Sequence, residues 1–204
     1  MKRIFDFTAV LAAFFLFGLP MLLVALLVKL TSPGPVLYWS DRVGVGNAIF
    51  KKPKFRTMRI DTPAVATHLL TDPDAYLTPL GPFLRKSSLD ELPQLWSVLK
   101  GDMSFVGPRP ALFNQDDLIA LRTAKGVHRL IPGITGWAQI NGRDDIPIPK
   151  KVEFDEYYLM HSSKVRISHF YVCKYMNSLT ANFQKGRLAT FDESILFERQ
   201  IILF

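Results

Sequence analysis

The segment FTAVLAAFFLFGLPMLLVALLV, residues 7–28, decides how the rest of this 204-residue chain is read. It runs for 22 residues without a charged side chain, and as an α-helix it would be roughly 33 Å long, enough to cross a bilayer core. A cleaved signal peptide has a shorter apolar stretch followed by a small-residue cleavage site, and neither feature is present. Phe7 and Val28 therefore bound a retained membrane segment. Lys2 and Arg3 precede it and Lys29 follows it. Because Lys/Arg-rich flanks stay on the cytoplasmic face, a simple crossing leaves one flank on the wrong side. Pro20, two residues after Gly18, offers a second path. Proline removes a backbone donor and clashes with the preceding turn, so a helix broken there can return to the leaflet it left. Transmembrane helices also tolerate proline without re-entry, and these residues alone leave both paths open.

The charge pattern agrees with a membrane location. Residues 1–60 carry nine Lys or Arg against two Asp, and the remainder balances at sixteen of each sign, so the whole net charge of +7 lies beside the apolar segment. There it can meet anionic headgroups, which makes membrane lipids an expected partner and nucleic acid not one. The single cysteine, Cys173, excludes an intramolecular disulfide framework and a cysteine-cluster metal site. The folded part is expected in the cytoplasm.

TSPGPVLY (31–38) is a turn signal that separates an anchor, 1–33, from a folded body, 34–185, and a tail, 186–204. VLYWSDRVGVGNAIFKKPKFRTM (36–58) reads as two extended runs around a Gly44/Gly46/Asn47 turn, a β-hairpin. Residues 61–82 read as a loop with a short helical piece. Helices are expected from Ser88 to Leu99, from about Asn114 to Arg129, in KKVEFDEYYLMHSS (150–163) and in KVRISHFYVCKYMNSLTANFQK (164–185). The last spaces Ile167, Phe170, Tyr171, Lys174, Met176 and Phe183 as an amphipathic helix, suited to a membrane interface or to packing on the core. IPGITGWAQINGRDDIPIP (131–149) is too rich in Gly and Pro for regular structure and reads as a long ordered loop, the kind that carries function. The fold class expected is α+β: a membrane helix broken at Pro20, then a mostly helical body with a small hairpin, long ordered loops and amphipathic interface helices.

The chemistry centres on SSLDELPQLWSVLKGDMSFVGPRP (87–110). Ser88 to Glu91 fits the S-x-x-E capping box, which accounts for Glu91 and leaves Asp90 unexplained. A helix start flanked by Arg85 and Arg109 also suits phosphate. A carboxylate placed there can ligate magnesium or attack phosphorus to form an acyl phosphate. A second acid can then serve as metal ligand or proton acceptor.

KFRTM (54–58), SLDELPQLWSVLKGDMSFVGPRP (88–110), PGITGWAQINGR (132–143) and KKVEFDEYYL (150–159), following an apolar N-terminal segment, closely resemble the bacterial sugar transferases, the monotopic phosphoglycosyl transferases. The resemblance runs from about Lys2 to about Phe183, in the family's order and spacing. It implies transfer of a sugar 1-phosphate, with N-acetylated amino sugars favoured, from a UDP-sugar to undecaprenyl phosphate, releasing UMP. It further implies Asp90 as nucleophile through a covalent phosphosugar intermediate, and Glu91 as aid to the metal or proton acceptor from the lipid phosphate. Magnesium is the implied cofactor, at Asp90 and Glu91. Lys54, Arg56, Arg85, Arg109 and Arg143 match positions that hold phosphates or the dyad. The family's apolar segment is re-entrant, with both ends on the cytoplasmic side of the bacterial inner membrane. A second copy of the chain and the glycosyltransferases that act next are the protein partners to expect.

Three positions depart from the family pattern. Leu19 precedes Pro20 where serine is common, Ile131 stands where an arginine often precedes PGITG, with Arg129 nearby, and Pro53 occupies a strand position. A non-catalytic membrane-surface adaptor is the competing function, and it requires Asp90→Asn to leave function intact.

Overall fold

The computed structural model describes residues 2–63, 72, 74–142 and 146–161. The amphipathic helix expected over 164–185, the tail and Arg143 lie outside them. The apolar segment forms α1, Lys2–Thr31, 30 residues and so about 45 Å long. The helix runs through Pro20 without interruption. Its buried residues fall into two groups, Asp6 and Val10 near one end and Val24 and Val28 near the other. Val10 packs with Leu95, Val98 and Met103, whereas Val24 and Val28 pack with Phe55 and Leu84. On the outward side Phe15, Leu19, Leu22, Leu26 and Leu30 follow one another at helical spacing, and Phe15 is 94% exposed. An apolar stripe of that length facing away from the protein is a lipid-facing surface.

Both ends of α1 are fastened to the same body. Near the start, Arg3 donates to the carbonyls of Val98 and Leu99 in α3 (Leu95–Lys100), where a cation complements the helix dipole. Lys2 Nζ donates to the Val106 carbonyl at 2.7 Å. Just past the end, the buried Arg56 donates to the carbonyls of Ser32, Pro33 and Pro35 and to Ser32 Oγ.

The hairpin forms as the sequence indicates. β1 (Leu37–Val43) and β2 (Ile49–Phe55) pair antiparallel, with Leu37 opposite Phe55 and Val43 opposite Ile49. The turn between them is a short 3₁₀ segment, Val45–Asn47, whose Gly46 and Asn47 both hold φ of 63°, a conformation that Gly and Asn adopt at least cost. Pro53 is accommodated because both strands of a two-stranded ribbon are edges.

Other elements differ from expectation. The segment expected as one helix from Ser88 is a 3₁₀ helix, Leu89–Gln94, followed by α3, and it is preceded by a further helix, α2 (Gly81–Ser87). Ser88 cannot act as the capping residue, because it sits in the left-handed region at φ 58° and makes no side-chain cap bond. N-cap residues need extended backbone to bring their oxygen to the N–H groups. The helix expected over 114–129 is α4 (Asp116–Ala124), ended at Gly126, φ 75°, and followed by a 3₁₀ turn, Val127–Arg129.

The segment 131–149, expected as a loop, contains β4 (Gly133–Thr135) and α5 (Trp137–Ile140), and runs into α6 (Ile148–His161). β4 pairs parallel with β3 (Ser104–Val106), placing Ser104 beside Gly133 and Val106 beside Thr135. The two chains close in tightly just beyond, where a Cβ on Gly107 would lie 2.3 Å from the Ile131 carbonyl oxygen. Val152 of α6 joins Ala111 and Leu118 in a core under α4.

Candidate active site

Alternation along the hairpin puts Tyr38, Ser40 and Arg42 of β1 on the same face as Lys52 and Lys54 of β2, because Tyr38 is opposite Lys54 and Ser40 opposite Lys52. Lys54 Nζ stands 5.4 Å from the centroid of the Tyr38 ring, and Arg42 Nε donates to Ser40 Oγ at 3.0 Å. Against β2 packs the 3₁₀ segment bearing Asp90 and Glu91. The left-handed Ser88 turns the chain sharply out of α2, its N–H bonding the Arg85 carbonyl and its own carbonyl accepting from Glu91 N–H.

Asp90 is buried and Glu91 half-buried. Glu91 turns to Arg109: its Oε1 accepts from Arg109 Nη2 at 2.7 Å, a bidentate-capable cation meeting a carboxylate in a charge-assisted bond. Arg109 is fixed from behind. Arg122 Nη1 donates to the Arg109 carbonyl at 2.8 Å, while Arg122 Nε and Nη2 bind Asp155 Oδ2 at 3.0 and 2.6 Å in the protein interior. Arg85 Nε donates to the buried Thr57 Oγ1 at 3.1 Å and its charge acts on Asp90.

The electrostatics show cations crowded beyond what two acids neutralise. Burial raises the Asp90 pKa above the usual carboxylate range, the adjacent Glu91 raises it further, and Lys54 and Arg85 oppose both. Burial lowers the Lys54 pKa, helped by Arg42 and Arg85, with Asp90 and Glu91 opposing. Lys52 is pushed down more strongly, by burial first and then by Arg109 and Arg42. A polyanion among these side chains would relieve the repulsion and raise the pKa of both lysines. Lys54, Arg42 and Arg109 also line a cleft of about 710 Å³, within the size of small-molecule sites. Apolar side chains such as Leu37, Met58, Ile60 and Leu112 share its walls with these cations. The dyad is not itself part of the lining; it adjoins the cleft through Lys54 and Arg109, each of which both faces the cleft and acts on a dyad carboxylate.

Of the residues expected at the site, Lys54, Arg85, Asp90, Glu91 and Arg109 come together. Arg56 lines the cleft, yet its donors are engaged by the connector Ser32–Pro35. Arg143 lies outside the described residues. Arg42 and Lys52 were not foreseen as site residues, although their alternation with Tyr38 and Lys54 in the hairpin carries the signal. Among the described residues no three His, Cys, Asp or Glu side chains gather into a metal cage. Two adjacent carboxylates beside a cluster of cations are a donor set that suits magnesium, which keeps waters and takes phosphate oxygens as further ligands.

A lipid-facing helix fastened to a body that holds a carboxylate pair beside a cationic cleft defines a class: a membrane-associated protein with a site whose charge suits phosphorylated ligands. The chain belongs to the bacterial sugar transferase family, whose model matches residues 1–174. It is 42% identical over 159 residues to the uncharacterized sugar transferase EpsL of Bacillus subtilis, covering 78% of this chain and 77% of that one. It is 41% identical over 169 residues to the UDP-N-acetylgalactosamine-undecaprenyl-phosphate N-acetylgalactosaminephosphotransferase of Aeromonas hydrophila, covering 79% and 40%. To the UDP-glucose:undecaprenyl-phosphate glucose-1-phosphate transferase of Escherichia coli it is 43% identical over 143 residues, covering 67% and 31%. The match thus spans less than half the length of the latter two relatives.

Proposed function

We propose that the protein is a phosphoglycosyl transferase that moves a sugar 1-phosphate from a UDP-sugar to undecaprenyl phosphate, giving undecaprenyl-diphospho-sugar and UMP. The observation that carries this reading is the Asp90–Glu91 pair set among Lys54, Arg85 and Arg109 beside the 710 Å³ cleft. The cleft's mixture of cations and apolar surface suits a diphosphate joined to a nucleoside on one side and a sugar on the other.

In the first step the Asp90 carboxylate attacks the phosphorus that bears the sugar. The bond from that phosphorus to the bridging oxygen breaks, and UMP departs with the oxygen and its electron pair. This leaves a sugar phosphate esterified to Asp90 as an acyl phosphate. In the second step an oxygen of undecaprenyl phosphate attacks the same phosphorus and displaces the Asp90 carboxylate. The bond between the sugar's anomeric carbon and its oxygen survives both steps. Lys54 and Arg109 hold the phosphoryl oxygens as charge shifts onto the leaving group, and Glu91, kept in place by Arg109, accepts a proton from a monoanionic lipid phosphate. Asp90 and Glu91 are the residues that would hold magnesium, which supplies charge neutralisation at the diphosphate.

In this reading α1 is a re-entrant anchor bent at Pro20, with both ends on the cytoplasmic face of the inner membrane. The fastening of both ends to one body supports it. Were the two ends on opposite faces, β2 or β3 would be drawn into the hydrocarbon with its polar backbone. An N-acetylated amino sugar is the first donor to test. The assay incubates nanodisc-embedded protein with undecaprenyl phosphate, magnesium and a panel of UDP-sugars that includes UDP-N-acetylglucosamine, UDP-N-acetylgalactosamine, UDP-diacetylbacillosamine and UDP-glucose. The expected result is lipid-linked sugar and UMP in equal amounts. Release of UDP instead would mean that the anomeric bond breaks, and would contradict the reading.

A further inference from the structure

Asp6 is the last charged residue before the apolar run, and it is only 3% exposed. A carboxylate at the edge of a membrane segment is costly to bury unless its oxygens are bonded. Here Oδ2 accepts from Ser104 Oγ at 2.8 Å and Oδ1 from the Phe105 N–H at 3.2 Å. One turn earlier on α1, Lys2 Nζ donates to the Val106 carbonyl at 2.7 Å and to the Tyr158 hydroxyl at 3.3 Å. Residues four apart share a helix face, so the first turn of the anchor grips all three residues of β3.

The connection from β3 to Arg109 is short and stiff. Gly107 N–H bonds the Thr135 carbonyl at 2.8 Å, and the Pro108 carbonyl accepts from Gly133 N–H at 2.9 Å. Arg109 comes next, between two prolines, with its guanidinium on Glu91 at 2.7 Å. A fixed path of bonded groups thus leads from the anchor to the dyad.

We propose that Asp6 is a positioning residue for the transfer reaction: by holding Ser104 and Phe105 it sets where Arg109 meets Glu91 and the phosphate, so the anchor serves the chemistry as well as membrane attachment. The inference rests on the proposed reaction for its kinetic consequence, and on the geometry alone for its structural one. A mere attachment role has no need of a buried carboxylate, since the apolar stripe from Phe15 to Leu30 supplies membrane affinity.

The test compares wild type, Asp6→Ala, Asp6→Asn, Arg109→Ala and the Asp6→Ala/Arg109→Ala double variant in nanodiscs. Asp6→Ala is expected to keep membrane association in vesicle flotation and to change the UDP-sugar KM less than fivefold. Its kcat should fall roughly 10- to 100-fold, the scale of a misplaced catalytic group. Asp6→Asn keeps one acceptor oxygen and should recover part of the loss. In the Arg109→Ala background the Asp6→Ala change should cost less than twofold, because the residue it acts through is gone. Equal losses in both backgrounds, or loss of flotation in step with activity, would overturn the proposal. Amide hydrogen exchange supplies a readout that needs no turnover: Asp6→Ala should accelerate exchange at Gly107 and Arg109. Unchanged exchange there overturns the proposal even if no donor is turned over, whereas accelerated exchange with an inactive wild type would fault the proposed reaction and not the coupling.

Discussion

Removing Asp155 should cost the protein more than removing Asp155 and Arg122 together. The pair is interior, with the Asp155 side chain 1% and the Arg122 side chain 10% exposed. Asp155→Ala leaves the guanidinium buried without its counter-charge, a loss of roughly 3–5 kcal/mol. At about 2–4 °C per kcal/mol for a chain of this size, the melting temperature should fall roughly 6–20 °C. In Arg122→Met/Asp155→Leu no charge is stranded. The remaining defect is the Arg109 carbonyl, which loses the donor now at 2.8 Å, worth roughly 1–3 kcal/mol. Thermal unfolding in nanodiscs followed by near-UV circular dichroism should therefore rank wild type first, the double variant second and Asp155→Ala last. Asp155→Ala melting within about 2 °C of wild type, under the single kilocalorie that an exposed ion pair is worth, or above the double variant, would refute the view that this pair braces Arg109 from a desolvated interior.

Four further outcomes are expected from the same geometry. Because burial and then Glu91 raise the Asp90 pKa and only the carboxylate attacks, UMP release should rise with pH through a value above the ordinary ~3.9 of aspartate. Glu91→Gln should move that limb to lower pH and Arg85→Gln to higher pH, read from pre-steady-state rates. A folded pKa raised above the unfolded one gives stability that is complete below the unfolded pKa and lost as pH rises through the folded one. Asp90→Asn should therefore melt higher than wild type at neutral pH, with the difference vanishing in acid. Gly107→Ala places a Cβ 2.3 Å from the Ile131 carbonyl oxygen and 3.0 Å from Gly133 N, so β3 and β4 must part, at about 1–3 kcal/mol or more by denaturant titration and with loss of transfer. Arg56→Lys gives up most of the bonds to Ser32, Pro33 and Pro35; thermal melting should drop by the equivalent of roughly 2–4 kcal/mol, with less than fivefold change in the UDP-sugar KM.

Legibility in the sequence tracked the range of the interactions. The hairpin was readable because its signals are local: alternation on both sides of a turn in which Gly46 and Asn47 need positive φ. The dyad and Arg109 were readable because they sit within one continuous stretch. The β3–β4 pair was not, since three-residue strands almost thirty residues apart carry no periodicity of their own. The capping box misled because its four residues match whether or not Ser88 is extended, and the backbone chose the left-handed turn that closes α2. Arg56 matched a phosphate-binding position in sequence, but its partners are carbonyls of the connector, which no side-chain motif records. Nothing in the sequence sets Asp6 or Asp155 apart from the other carboxylates, and only the fold shows each buried against a partner from another element.

The central claim is that Asp90 carries the sugar phosphate between donor and lipid. Intact-protein mass spectrometry after mixing the enzyme with its UDP-sugar and magnesium, in the absence of undecaprenyl phosphate, tests it most directly. The expected result is a mass increase equal to one sugar phosphate, mapped to Asp90, absent from Asp90→Asn and discharged when undecaprenyl phosphate is added. Wild-type protein that makes lipid-linked sugar yet never gains that mass, or an Asp90→Asn variant that still transfers, would contradict it.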